Sequence, residues 1–165
     1  MDFKLRPWTM NDAENLPRYA NNIRIARYMK DRFPHPYTVE DARAFISMAT
    51  EDDPVHIFAI DIGGEAVGGI GIHPQQDVFR KNAELGYWLG EPFWGRGIVT
   101  KAINEILVFA FQNYDITRVF ATPFGTNKAS QMVLEKAGFT LEAKLEKTIF
   151  KNGEYEDELI YAFRR

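Results

Sequence analysis

The sequence predicts an α+β fold in which a mixed, mostly antiparallel central sheet of about seven strands is flanked by helices. Three observations support this prediction. Alternating segments flank Gly63-Gly64 and Asn152-Gly153, which are two-residue turn signals typical of β-hairpins. A long segment beginning at Ile98 carries apolar residues at helical spacing. A tight loop with two glycines, Trp94-Gly95-Arg96-Gly97, joins a predicted strand directly to that helix.

The first half of the chain contains the first hairpin and several short helices. Pro34 and Pro36 exclude a helix between Phe33 and Tyr37, because each proline disfavours helical geometry at the residue before it. Thr38, followed by Asp41, has the form of a helix N-cap. We therefore predict a strand at 3–8, two short helices within 12–30, a helix from 39 to about 50, and hairpin strands at 55–62 and 65–73.

The second half alternates strands with two amphipathic helices. We predict strands at 83–89, 117–124, 139–150 and 154–164, with helices beginning near 98 and at 127. In the second helix we expect Ala129, Met132, Val133 and Ala137 to face the core, and Gly138 to end the helix.

Composition limits the function classes. The chain has 165 residues, 45% of them hydrophobic, which predicts one domain spanning 1–165. The net charge is −3 without a basic stripe, so we expect no nucleic-acid partner. There is neither a long apolar run nor the apolar core of a signal peptide, so we expect no membrane partner and a cytoplasmic location. The absence of cysteine excludes a cysteinyl acyl intermediate.

The loop at Trp94–Gly97 has the properties of a phosphate-binding site. A helix N-terminus presents unpaired N–H groups and the positive end of the helix dipole, and glycines allow a ligand to approach the backbone. A Walker A loop is disfavoured, because Arg96 and Gly97 stand where Lys and Ser or Thr are needed. A dinucleotide fingerprint also fails, because Thr100 stands at its third glycine. An ordinary strand-to-helix connection is the remaining alternative.

Longer motifs point to a family. The strings A-E-L-G-Y-W-L from Ala83 and W-G-R-G-I-V-T-K-A from Trp94 resemble the acyl-CoA-binding motif, Q/R-x-x-G-x-G/A, of the GCN5-related N-acetyltransferases (GNAT). Trp94 replaces the Q/R of that motif, as is usual in the RimJ/RimL-like branch, and Val99 replaces its final small residue. A second block, N-K-A-S from Asn127 followed by V-L-E-K-A-G-F, is similar to the same branch. A weaker third block is Gly153–Asp157 with Tyr161.

This resemblance implies a GNAT fold and acetyl-CoA as co-substrate, without a metal. In such a protein the pyrophosphate binds the glycine loop and the first turn of the helix, while the pantetheine arm lies along the strand that carries Trp88 and Leu89. A backbone N–H near Leu89 polarises the thioester carbonyl. The residues implied in cofactor binding are Trp88, Leu89, Trp94, Gly95, Arg96, Gly97, Ile98, Val99, Thr100 and Asn127. Arg96 has an equally plain interpretation as a solvent-facing loop residue.

Two residues are candidates for catalysis. The resemblance assigns Ser130 to protonating or hydrogen-bonding the departing sulfur, because Leu134 stands where many relatives have a tyrosine. Asn127 and Ser130 are three residues apart and therefore share a helix face. Asn127 as a simple N-cap with a solvent-facing Ser130 remains the alternative. Glu84 is the candidate general base, because burial within an apolar strand would raise its pKa; a solvated Glu84, or His35 or His73 as the base, is the other interpretation.

The chemistry indicates an amine acceptor that attacks the thioester directly in a ternary complex. An α-amino group has a pKa of about 7.7–8.0, whereas a lysine amine near 10.4 costs about 4 kcal/mol to deprotonate at pH 7.5. A protein N-terminus is therefore the favoured substrate, with polyamines, amino acids or aminoglycosides as alternatives. A catalytically silent acyl-CoA sensor is the rival from another class. Neither the specific amine nor the oligomeric state follows from the sequence.

Overall fold

The computed structural model describes residues 1–165 and confirms the predicted α+β class. Seven strands form one sheet in the order β1-β2-β3-β4-β5-β7-β6. The β4–β5 pair is parallel, whereas the β1–β2, β2–β3, β5–β7 and β6–β7 pairs are antiparallel. The strands are β1 (Lys4–Pro7), β2 (Ile57–Ile62), β3 (Glu65–Pro74), β4 (Asn82–Leu89), β5 (Arg118–Ala121), β6 (Thr140–Lys151) and β7 (Glu154–Arg164).

Five α-helices accompany the sheet. They are α1 (Pro17–Ala20), α2 (Ile23–Ala26), α3 (Val39–Ala49), α4 (Ile98–Asn113) and α5 (Lys128–Lys136). Short 3-10 turns lie at Met10–Glu14, Asp77–Phe79 and Glu91–Phe93. None of these helices combines the length and apolar character that crossing a membrane requires.

The chain divides into two compact units, each assembled from separate segments. The first comprises Met1–Gly71 and Tyr87–Ile98, and the second comprises Ile72–Gly86 and Val99–Arg165. Each unit is described by itself below. The expectation of a single domain over 1–165 stays a prediction.

The first unit is built around an aromatic and aliphatic core. Trp8 packs edge-on against Phe45 of α3 at a centroid distance of 5.3 Å, and Trp88 packs against Phe33 at 5.7 Å. Helix α3 begins as predicted, because Thr38 and Asp41 form a reciprocal capping box. The segment between Phe33 and Tyr37 is not helical, also as predicted.

A partly buried charge network joins β1 to β2 in this unit. Arg6 Nε donates to Asp61 Oδ2 at 2.6 Å, and its two terminal nitrogens donate to Asp12 at 2.9 and 2.8 Å. Asp61 is only 3% exposed, and its second oxygen accepts the Gly64 N–H at 2.8 Å. The carboxylate therefore fixes the hairpin turn while its charge is compensated by Arg6.

The second unit contains α5 and the long β6–β7 hairpin. The hairpin turn is at Asn152-Gly153, where both residues have positive φ (52° and 79°), as a type I′ turn requires. Phe139 and Phe163 pack at 5.7 Å beneath Gly138, whose φ of 93° ends α5 as predicted. Strand β5 stops at Ala121, earlier than the predicted end at Phe124, although Phe124 still forms an isolated antiparallel bridge with Glu158.

The predicted buried face of α5 was partly wrong. Met132 is 55% exposed and Ala129 is also exposed, whereas Leu134 is fully buried. Val133 is half-buried and Ala137 is buried, so the helix is rotated relative to the prediction. The short helix offers two apolar stripes, and packing within the unit selects the one that contains Leu134.

Candidate functional site

The glycine loop presents open backbone ahead of α4. Gly95 and Gly97 have φ values of 73° and 76°, a region that residues with a Cβ rarely adopt. A Cβ built at either glycine would meet nothing within 4 Å, so the backbone there faces open space. Helix α4 begins at the buried Ile98, followed by the half-buried Val99 and Thr100. Exposed N–H groups before a helix start are a donor set suited to a phosphate, so the loop fits the pyrophosphate that the resemblance implies.

Arg96 lies between the two glycines at the surface. Its side chain is exposed and makes no hydrogen bond or ion pair. A solvated guanidinium without a carboxylate partner is compatible both with a solvent-facing loop residue and with contact to an anionic ligand.

The side chain of Trp94 is hydrogen-bonded to the end of β4. Its indole Nε1 donates to the carbonyl oxygen of Leu89 at 2.7 Å, although the side chain is still 40% exposed. The next amide along the chain, Gly90 N–H, donates to Val67 O at 2.8 Å. The Gly90 N–H is therefore already occupied within the sheet, and a thioester donor near Leu89 stays a prediction.

Trp88 is a core residue of the first unit. It is 8% exposed and belongs to the same buried cluster as Trp8 and Tyr37. Gly68 of β3 permits close approach of this strand, because a Cβ there would come within 2.5 Å of Trp88 O. Because the ring is buried, the predicted contact of Trp88 with the cofactor would have to come from its backbone.

An unpredicted polar cluster holds the turn before the loop. Glu91 accepts a hydrogen bond from Asn22 Nδ2 at 2.9 Å and forms an ion pair with Arg24. The guanidinium carbon of Arg24 lies 5.4 Å from the ring centroid of Trp94. No local sequence signal joins these residues, since Arg24 and Glu91 are 67 positions apart.

The candidate base lies in the second unit. Glu84 is half-buried in β4, and the β4–β5 ladder ends at its pair with Phe120. His73 is also half-buried, with Nε2 3.9 Å from the point where a Cβ on Gly86 would lie. His35, in the first unit, is exposed. Glu84 and the two histidines therefore all remain candidates for the base.

Asn127 and Ser130 lie together at the start of α5. Asn127 Oδ1 accepts the Ser130 N–H at 3.3 Å, which makes Asn127 the N-cap of the helix. This contact uses the side-chain oxygen and leaves the Asn127 Nδ2 group as a donor. Both residues are half-buried, and they share the helix face that contains Leu134.

Contacts from neighbouring segments fix α5 in place. Gln131 Nε2 donates to the carbonyls of Phe124 and Gly125 at 3.3 and 3.0 Å. Tyr161 of β7 donates to Glu135 Oε1 at 2.9 Å. Asp157, in the third sequence block, accepts the Lys147 N–H at 2.9 Å and thereby stabilises the irregular part of β6. The third block therefore has a structural role in holding β6 and α5.

Comparison with known proteins identifies the family. A family model described as an acetyltransferase (GNAT) domain matches residues 2–140. The chain therefore belongs to the GNAT family, and its predicted class, that of acyl-CoA-dependent N-acetyltransferases, is confirmed.

Curated relatives differ in substrate. The chain is 34% identical to Bacillus subtilis YdaF over 60% of its own length and 54% of that protein. It is 31% identical to the Escherichia coli ribosomal-protein-serine acetyltransferase over 64% of its length and 59% of that enzyme. The E. coli spermidine N(1)-acetyltransferase is 24% identical over 94% of this chain and 82% of the enzyme. The aligned part of the chain thus spans little more than half of the first two relatives.

Solved structures confirm the fold. Mycobacterium smegmatis RimJ, in complex with CoA-disulfide, has a TM-score of 0.83 at 26% identity and covers 98% of this chain and 81% of its own. The microcin C7 self-immunity acetyltransferase MccE, in complex with acetyl-CoA and AMP, has a TM-score of 0.83 at 29% identity and covers 99% of this chain and 93% of its own. Both likenesses extend over nearly the whole chain, and the likeness to RimJ agrees with the predicted RimJ/RimL-like branch.

Proposed function

We propose that the protein transfers an acetyl group from acetyl-CoA to a primary amine, and that a protein N-terminal α-amine is the favoured acceptor. The observation that carries the proposal is the open backbone of the glycine loop at Gly95 and Gly97, directly before α4. Family membership supports the reaction type, and the open loop before α4 is the proposed site of the cofactor phosphates.

The chain's own residues would share the remaining tasks. In this proposal the backbone from Gly95 to Thr100 binds the pyrophosphate, and Arg96 adds a positive charge. Asn127 donates through Nδ2, because its oxygen already caps α5. Ser130 hydrogen-bonds the sulfur, and Glu84 takes the proton that the amine loses. Acetyl-CoA supplies the activated thioester.

The low pKa of an α-amine, compared with that of other primary amines, makes it the favoured acceptor. An α-amine with a pKa of about 7.7–8.0 is partly neutral near pH 7.5, so a modest base is sufficient. Glu84 is only half-buried, which is compatible with that modest demand. The relationship to a ribosomal-protein-serine acetyltransferase supports the same acceptor class. The spermidine enzyme, aligned over 94% of the chain, supports a small polyamine as the second candidate.

The proposal is tested by acetyl-CoA-dependent thiol release against separate pools of N-terminal peptides, polyamines, amino acids and aminoglycosides. We expect release above an amine-free blank with the peptide pool. Release with the polyamine pool alone would replace the α-amine by the second candidate. Acetyl-CoA binding without release from any pool would favour a catalytically silent sensor.

A further inference from the structure

The turn before the glycine loop is anchored by a small network in the first unit. Glu91 Oε1 accepts from Asn22 Nδ2 at 2.9 Å, while Oε2 pairs with the Arg24 guanidinium. Asn22 also caps α2, because its Oδ1 accepts the Arg24 N–H at 2.9 Å. One asparagine therefore fixes the start of α2 and, through its amide, the carboxylate of Glu91.

The same network reaches Trp94, the residue directly before Gly95. The Arg24 guanidinium lies over the Trp94 ring at 5.4 Å, and the indole Nε1 is held by Leu89 O at 2.7 Å. Between Glu91 and Trp94, the Phe93 ring packs against the ring of Tyr19 in α1, with the two ring centroids 5.8 Å apart. Both ends of this turn are therefore held by α1, α2 and the end of β4.

The glycines themselves have no comparable restraint. Gly95 and Gly97 carry no side chain and face open space, so local contacts do little to fix the loop conformation. Glycine loses more conformational freedom on ordering than any other residue. Anchoring the preceding turn lowers the conformational entropy that the glycine loop loses when a ligand binds. The affinity for the ligand therefore increases.

We propose that Glu91 and Arg24 are positioning residues that pre-organise the glycine loop for acetyl-CoA. They act through Trp94 and the turn, and neither is assigned a contact with the cofactor. The inference rests on the proposed function, because it takes the glycine loop as the cofactor site.

Calorimetric titration with acetyl-CoA tests the inference without requiring turnover. We expect Arg24→Met and Glu91→Gln each to raise the dissociation constant about 3–10-fold, the range for an exposed ion pair together with a cation–π contact. The double variant should bind acetyl-CoA with about the same affinity as the single variant that binds it less tightly, because both substitutions break the same network.

Tryptophan fluorescence gives a second readout that does not involve the cofactor. Trp8 and Trp88 are 2% and 8% exposed, whereas Trp94 is 40% exposed, so acrylamide quenching reports mainly on Trp94. Removing the guanidinium that covers the ring should increase quenching in Arg24→Met. An unchanged quenching constant would contradict the positioning role.

Arg18 provides a matched control. Its ion pair with Glu65 has side-chain exposures of 63% and 32%, compared with 63% and 36% for Arg24 and Glu91. The Arg18 guanidinium carbon also lies 5.8 Å from an aromatic ring centroid, that of Tyr19, but Arg18 makes no direct hydrogen bond, ion pair or ring contact with Glu91, Trp94 or the glycines and reaches the turn only through the Tyr19–Phe93 contact. Arg18→Met should leave both acetyl-CoA affinity and Trp94 quenching unchanged.

Each outcome has a separate meaning. Equal loss of affinity in Arg18→Met, or strictly additive effects in the double variant, would overturn the inference. If the wild type binds acetyl-CoA tightly and neither Arg24→Met nor Glu91→Gln weakens that binding, the positioning role is overturned while the proposed cofactor site is retained. Failure of the wild-type chain to bind acetyl-CoA would overturn the proposed cofactor site and this inference with it.

Discussion

Tyr161 of β7 donates its phenolic hydrogen to Glu135 of α5 across 2.9 Å. The tyrosine is 2% exposed, and burial together with this hydrogen bond raises its pKa, so the hydroxyl stays protonated as a donor. The contact ties the helix that begins with Asn127 and Ser130 to the sheet of the same unit.

Removal of that hydroxyl should loosen α5. We expect Tyr161→Phe to lower the free energy of unfolding by about 1–2 kcal/mol, because a charge-assisted hydrogen bond is lost while the ring still fills its site. Urea denaturation measures the change. Tyr155→Phe is the control, since Tyr155 is 68% exposed; an equal loss in both variants would contradict the role of the Glu135 contact.

Gly97→Val should abolish acetyl-CoA binding. The valine side chain would occupy the open space before α4. Because position 97 has a positive φ, a residue with a Cβ there should also cost about 1–3 kcal/mol of stability. Gly153→Val separates these effects, because Gly153 also has a positive φ (79°) and open surroundings but lies in the β6–β7 turn. Calorimetry should detect loss of binding only in Gly97→Val; unchanged affinity there would refute the loop assignment.

Asn127→Asp should separate helix capping from ligand binding. Aspartate still caps α5 and suits the helix N-terminus, so thermal stability should change little. The Nδ2 donor is replaced by a negative charge, so acetyl-CoA affinity should fall at least about tenfold, a loss of about 1.4 kcal/mol. Retained affinity would mean that Asn127 is only an N-cap.

Ser130→Ala should reduce turnover more than cofactor binding. If the hydroxyl hydrogen-bonds the departing sulfur, its loss should lower kcat by about 10²-fold or more. The dissociation constant of acetyl-CoA, measured by calorimetry, should change by less than about threefold, which corresponds to about 0.7 kcal/mol. An equal loss of turnover and affinity, or a loss of neither, would argue against this role.

Acid stability should depend on Asp61. Burial tends to raise its pKa, but hydrogen bonds from Arg6 and Gly64 outweigh burial and hold the pKa below the ordinary 3.8. A carboxylate with a lowered folded-state pKa stabilises the fold above pH 3.8, and that contribution is lost as pH falls through the folded-state value.

Asp61→Asn is the corresponding variant. It should cost about 1–3 kcal/mol at pH 7 through the loss of a charge-assisted pair. Its free energy of unfolding should then fall less steeply than that of the wild type below pH 3.8. Parallel pH profiles from urea titrations would exclude Asp61 as a source of acid lability.

The sequence alone predicted most of the elements and the family. The hairpin turns at Gly63-Gly64 and Asn152-Gly153, the capping box at Thr38 and the glycine loop before α4 all formed as predicted. These features are local, because turn residues, caps and periodicity act within a few positions of the chain.

Other features were decided only by the tertiary structure. The Arg24–Glu91 ion pair joins residues 67 positions apart, and the Tyr161–Glu135 contact joins residues 26 positions apart. The exposure of Met132 and the use of the Gly90 N–H by Val67 likewise depend on which surfaces pack together. Periodicity shows that an element has an apolar face, but only packing chooses its neighbour, and therefore which polar groups remain available to a ligand.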